Sequence, residues 1–133
     1  MNAHKYVLDT SAILTLMEDE GGADRVEAIL RQEKVIIPFP VLMEAYYISL
    51  QEQSEAIADQ RYALMRSLPA AIIWAMDEPT LLVAARFKAQ YRMSFADSLI
   101  AAFAAQNQAI LVHKDPEFDG LVGQVQLEAL PYK

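Results

Sequence analysis

The chain of 133 residues has no cysteine, only four glycines and a single tryptophan. The first absence excludes disulfides, zinc–thiolate sites and thiol nucleophiles, and it accords with a reducing cytoplasm. Basic charge is also scarce: 11 Lys and Arg stand against 18 Asp and Glu, for a net charge of −7. Passive, nonspecific binding to nucleic acid relies on a basic surface and is therefore excluded. A nuclease whose acids are held by divalent cations is not. Long apolar runs are missing too. The longest weakly charged stretch, residues 95–112, contains Asp97 and the break Gln106-Asn107-Gln108, so nothing reads as a membrane span. Met1-Asn2-Ala3-His4-Lys5 is followed by only a few apolar residues before Asp9, so no signal peptide is visible. The expectation is a cytoplasmic protein with no membrane partner.

What is present is apolar content of 54%, enough for one buried core in a single domain over residues 1–133 without a structural metal. Tyr6-Val7-Leu8 reads as a strand that carries Asp9 to its carboxyl edge. A helical pattern follows at Ala12, Ile13, Leu16 and Met17 and stops at Gly21-Gly22. The spacing predicts a helix from Ala23 to about Glu33, then a buried strand Val35-Ile36-Ile37 stopped by Pro38 and Pro40. Further helices are expected from Val41 to about Gln51, from Glu55 to about Ser67 behind the cap Ser54, from Asp77 to about Tyr91, and from Ser94 to near Asn107. Ala71-Ile72-Ile73-Trp74, Ala109-Ile110-Leu111-Val112 and Gln126 to Ala129 complete the strands, with a polar loop from His113 to Gly120. Strands alternating with helices imply an α/β fold with a mainly parallel sheet covered on both faces. No internal repeat, low-complexity tract or linker interrupts this pattern.

Three acids stand alone in apolar surroundings. Asp9 is the only charge between Tyr6 and Met17, Glu44 the only one between Val35 and Leu50, and Asp97 the only one between Met93 and Val112. On a helix, Glu44 has Val41, Tyr47 and Ile48 as its i−3, i+3 and i+4 neighbours, so its own face is apolar. A carboxylate placed there needs a partner, and none of the three runs contains Lys or Arg. A hard cation with oxygen ligands, Mg²⁺ or Mn²⁺, would supply it. Each acid also has a plainer reading. Asp9 can cap the helix after it, Asp97 can close a capping box with Ser94, Glu44 can sit at the edge of an amphipathic face, and Asp115 can be a turn residue before Pro116. Their placement favours convergence, because carboxyl ends of two strands and the amino end of a helix share one crevice in open α/β sheets.

Four segments in order resemble a PIN domain, and within it the small VapC-type toxins of bacterial toxin–antitoxin pairs: Val7-Leu8-Asp9-Thr10-Ser11-Ala12, Pro40-Val41-Leu42-Met43-Glu44, Ser94-Phe95-Ala96-Asp97-Ser98-Leu99-Ile100-Ala101-Ala102, and Ile110-Leu111-Val112-His113-Lys114-Asp115-Pro116-Glu117-Phe118. The resemblance spans essentially the whole chain. It implies a three-layer α/β/α sandwich with a central parallel sheet and a Mg²⁺- or Mn²⁺-dependent ribonuclease site. By position, Asp9, Glu44, Asp97 and Asp115 fall on the acidic quartet, and Ser11 on a hydroxyl that hydrogen-bonds within the site. It further implies an RNA substrate cut to a 3′-hydroxyl and a 5′-phosphate, an antitoxin partner and a homodimer. One departure is His113, where the family commonly has Thr or Ser two residues before the fourth acid. A strand-end substitution is the favoured reading, with hydrogen bonding to phosphate or acid as the other. Asp119 is a possible auxiliary ligand or an ordinary loop acid.

For RNA contact the only dense basic cluster is Arg86 to Arg92, in which Lys88 and Arg92 share a helical face, with Lys114 flanking Asp115. A merely solvated face is the alternative for Arg86, Lys88 and Arg92. Two rival functions differ in kind. A haloacid-dehalogenase-type phosphatase also opens with a strand ending in Asp, but its chemistry needs a second acid two residues on, where this chain has Ser11. A non-catalytic PIN-like module that binds RNA or protein needs no turnover at all.

Overall fold

The computed structural model describes residues 4–132; residues 1–3 and 133, including the start of the segment read for a leader, lie outside the described residues. Five strands, β1 (Lys5–Leu8), β2 (Lys34–Pro38), β3 (Ala71–Ile73), β4 (Ile110–His113) and β5 (Gln126–Ala129), form one sheet in the order β3-β2-β1-β4-β5. Every pairing is parallel. Val7 and Leu8 are adjacent on β1 and both fully buried, as are Leu111 and Val112 on β4. Successive residues of a strand point to opposite faces, so helices must cover the sheet on both sides. The result is the expected α/β/α sandwich, with a sheet that is wholly parallel.

The helices begin where side chains satisfy their free amides. Asp9 caps α1 (Thr10–Met17), Ser54 caps α4 (Glu55–Ser67) through the Ile57 amide at 3.1 Å, Asp77 caps α5 (Glu78–Gln90) through Thr80 at 3.0 Å, and Ser94 caps α6 (Phe95–Gln106). α2 (Ala23–Gln32) and α3 (Phe39–Glu52) start after Gly22 and Pro38 without a side-chain cap. Strand β2 runs on through Pro38, which pairs with Ile73, so proline ends this strand from inside rather than from beyond it. The segment expected as a loop after β4 contains a 3₁₀ turn, Pro116–Leu121, whose Phe118 and Leu121 are buried in the core. Helix α5 stops at Gln90, so Arg92 lies beyond it and does not share a helical face with Lys88. Among the described residues no helix is long and apolar enough to cross a membrane.

From β1 the chain steps outward to β2 and β3, then returns on the other side of β1 to β4. The strand order therefore reverses between β1 and β4, which opens a crevice at their carboxyl ends. The Asp9 amide donates to the Val112 carbonyl at 3.0 Å and fixes the two strand ends side by side.

Candidate functional site

Asp9 leaves β1 at this crevice and is 2% exposed. Its Oδ2 accepts from both the amide and the hydroxyl of Ser11, at 3.1 and 2.5 Å. The Ser11 hydroxyl in turn accepts from the Lys114 amide at 2.9 Å, so one serine ties Asp9 to the end of β4. Among the described residues Asp9 Oδ1, which is buried, has no hydrogen-bond partner, and the Thr10 hydroxyl on the same turn is likewise unpaired. Burial pushes the Asp9 carboxyl up to about 6, against the lowering effect of the Ser11 hydrogen bonds and with help from Glu44.

Asp97, 6% exposed, stands in the first turn of α6, where its amide donates to Ser94 Oγ at 3.1 Å. The cap and the acid are thus parts of one device: the Ser94 turn that starts α6 also sets Asp97 at the crevice. Burial, then the charges of Asp9, Asp115 and Glu44, push Asp97 up to about 8. Glu44, partly buried on α3, closes the other side. One carboxylate oxygen from each of Asp9, Glu44 and Asp97 lies within 4.8 Å of the others. A second trio meets the same criterion: Asp97, Asp115 and Glu117.

The structure thus brings all four sequence-predicted acids and Ser11 to one cleft of about 330 Å³. It adds Glu117, which the sequence reading left in a polar loop. The signal available was Asp115-Pro116-Glu117: proline opens a turn, Asp115 Oδ1 accepts from the Glu117 amide at 2.9 Å, and the tight turn carries Glu117 back beside Asp115.

The other candidates are placed elsewhere. Asp119 is exposed and accepts from the Tyr132 hydroxyl at 3.1 Å, away from the cleft lining. The Lys114 ammonium is nearly buried, donating to the Gly21 carbonyl at 2.8 Å and pairing with Glu20 at 3.5 Å, so it braces the α1–α2 turn. His113 is fully buried at the end of β4, as a strand-end residue would be, and burial holds its imidazole below the ordinary range. Arg86, Lys88 and Arg92 are exposed at and beyond the end of α5.

No ion pair among the described residues reaches any of the five cleft acids. Their charge is therefore uncompensated by the protein. An all-oxygen donor set with one buried, unpaired carboxylate oxygen fits a hard divalent cation.

Fold and cleft together define an α/β protein with an acidic crevice at the switch point of a parallel sheet. Residues 6–123 match the family model described as PIN domain, and the chain belongs to that family. No curated protein matches it in sequence. Among solved structures, it is similar to VapBC2 from Rickettsia felis bound to a DNA fragment from its promoter: TM-score 0.78, 17% identity, covering 96% of this chain and 99% of that one. It is also similar to VapBC-1 from nontypeable Haemophilus influenzae, with TM-score 0.73, 20% identity and coverage of 94% and 97%. A third is VapC20 from Mycobacterium tuberculosis, a sarcin-ricin loop cleaving toxin, with TM-score 0.72, 15% identity and coverage of 95% and 99%. At these identities the likeness is one of fold.

Proposed function

We propose that this protein is a divalent-cation-dependent ribonuclease acting in the cytoplasm, and the toxin of a VapBC-type toxin–antitoxin pair. The observation that carries the nuclease reading is Asp9: a buried carboxylate facing Glu44 and Asp97, with Oδ1 unpaired and no cationic side chain to answer it among the described residues. Membership of the PIN family and likeness in fold to VapBC assemblies and a VapC toxin support the rest.

Asp9, Asp97 and Asp115 would hold Mg²⁺ or Mn²⁺, with Glu44 either completing the set or orienting the attacking water. When bound, such a cation supplies charge neutralisation at the phosphodiester and a more acidic water. Ser11 keeps Asp9 Oδ2 occupied and leaves Oδ1 as the unpaired oxygen that a cation would take up. Water oxygen adds to phosphorus, the bond to the 3′ oxygen breaks, and the proton passes to that oxygen, giving a 3′-hydroxyl and a 5′-phosphate. By family likeness the partners are an antitoxin and a second copy of the chain.

Incubating structured RNA with the protein in Mn²⁺, in EDTA and as Asp9→Asn tests the nuclease. Cleavage is expected only for the native chain with Mn²⁺. Cleavage that survives both EDTA and Asp9→Asn overturns the reading, while RNA binding without any cleavage makes the protein a non-catalytic PIN-like module. A small antitoxin-like reading frame beside the gene is expected for a toxin, and its absence would leave a free-standing ribonuclease.

A further inference from the structure

His113 is an odd residue to bury at the end of a central strand. Its ring is fully buried, 5.0 Å from that of Phe118 and 6.3 Å from that of Tyr132. Nδ1 accepts the Asp115 amide at 3.1 Å, so the ring carries its proton on Nε2. Nε2 is buried with no hydrogen-bond partner among the described residues. A buried donor left unpaired destabilises a fold, so the acceptor on the other side of the ring must contribute something leucine cannot.

That contribution is the path of the chain into the cleft. The His113 carbonyl is pinned by the Leu130 amide at 2.7 Å, and the next two amides are both tied down. Lys114 donates to Ser11 Oγ, and Asp115 donates to His113 Nδ1. With these fixed, Asp115 is turned so that its carboxylate caps the 3₁₀ turn and stands with Glu117 beside Asp97. Phe118, from the same turn, packs on the imidazole and locks the ring that holds the amide.

We propose that His113 is a positioning residue for the Asp115–Glu117 side of the cation cleft, acting as a neutral acceptor whose Nδ1 holds the Asp115 amide. The inference rests on the reading of the cleft as a cation site. Residues that orient ligands from behind typically change metal affinity ten- to a hundredfold when removed.

Two measurements test it. In the native protein, imidazole ¹⁵N resonances of His113, separable from those of exposed His4, should show an unprotonated Nδ1 and a protonated Nε2. A ring protonated on Nδ1 overturns the proposal without touching the metal reading. Calorimetric titration with Mn²⁺ then compares the native chain, His113→Asn, whose side-chain oxygen can take the place of Nδ1, and His113→Leu. His113→Leu should bind Mn²⁺ at least tenfold more weakly, and His113→Asn should recover most of the affinity. A merely structural histidine predicts unchanged affinity in His113→Leu, whatever its thermal stability. Native-level Mn²⁺ binding by His113→Leu overturns the positioning role alone, whereas no Mn²⁺ binding by the native chain overturns the cation site with it.

Discussion

At the scale of single residues, the cleft is held in a state that the metal-free protein disfavours. Asp9 and Asp97, pushed up to about 6 and about 8, both titrate near 3.8 when unperturbed. Between those limits the folded protein binds more protons than the unfolded chain, so these acids cost no stability below about pH 4 and progressively more as pH rises through 6 and then 8. His113 has the opposite sign. Its lowered value gives a contribution that is present above about 6.5 and lost as pH falls. In EDTA, the urea midpoint should therefore fall between about pH 7 and pH 9, where Asp97 ionises and His113 stays neutral. Saturating Mg²⁺ should flatten that slope, because a cation that requires deprotonated ligands binds in their place. A metal-free midpoint that rises across the same window would contradict the burial of Asp97.

Asp9→Asn follows from the same reasoning. The carboxamide oxygen can keep the Ser11 hydrogen bonds, while the buried charge disappears. Near pH 7.5 the metal-free variant should be as stable as the native chain or more so, by roughly 1–3 kcal/mol, and should lose Mn²⁺ binding. Strong destabilisation would return Asp9 to a purely structural role as the cap of α1. The capping role itself was legible in the sequence and is real; the acid serves cap and cleft together. Glu117 was legible only as far as the turn that Asp115-Pro116 opens, because its place beside Asp115 depends on a 3₁₀ turn whose register is set by the tertiary packing of Phe118 and Leu121.

At the scale of elements, periodicity and caps carried most of the information. Ser54, Asp77 and Ser94 each start a helix within a residue of where their side chains predicted it, because a free amide turn needs a nearby acceptor. Which strand pairs with which was not readable, since an apolar run shows that a strand is buried on both faces and nothing about its neighbours. Lys114 shows the same limit: adjacent in sequence to Asp115, it reaches Gly21 and Glu20 in the α1–α2 turn. That turn offers a paired test. Gly22 has φ +105°, and a Cβ there would meet Leu130 Cβ at 3.2 Å and the Pro131 ring at 3.3 Å, whereas a Cβ on Gly21 meets nothing within 4 Å. Gly22→Ala should lower stability by about 1–3 kcal/mol, and Gly21→Ala should be nearly neutral by thermal melting. Equal melting temperatures for the two variants would mean that Leu130 and Pro131 yield freely.

At the scale of the whole molecule, an acidic protein must approach a polyanion. The net charge is −7, and five of the 18 acids share the cleft. Attraction to RNA then depends on a bound cation in the cleft and on exposed bases elsewhere on the surface. Arg86, Lys88 and Arg92 are solvent-exposed, and the segment that carries Arg92 leads directly into the Ser94 cap that places Asp97. Lys114 is committed to the α1–α2 turn and is not free to reach phosphate in the same way. In an Asp9→Asn background, where bound RNA is not expected to be cut, binding measured by fluorescence anisotropy across a salt series separates these roles. Each phosphate contact to single-stranded nucleic acid contributes about 0.7 to the slope of log K against log salt, so neutralising Arg86, Lys88 and Arg92 together should reduce the slope by up to about 2. Lys114→Gln should leave the slope unchanged. An unaltered slope in the triple variant would assign those side chains to an ordinary solvated face. A flattened slope in Lys114→Gln would show that this lysine leaves Gly21 and Glu20 to meet the substrate.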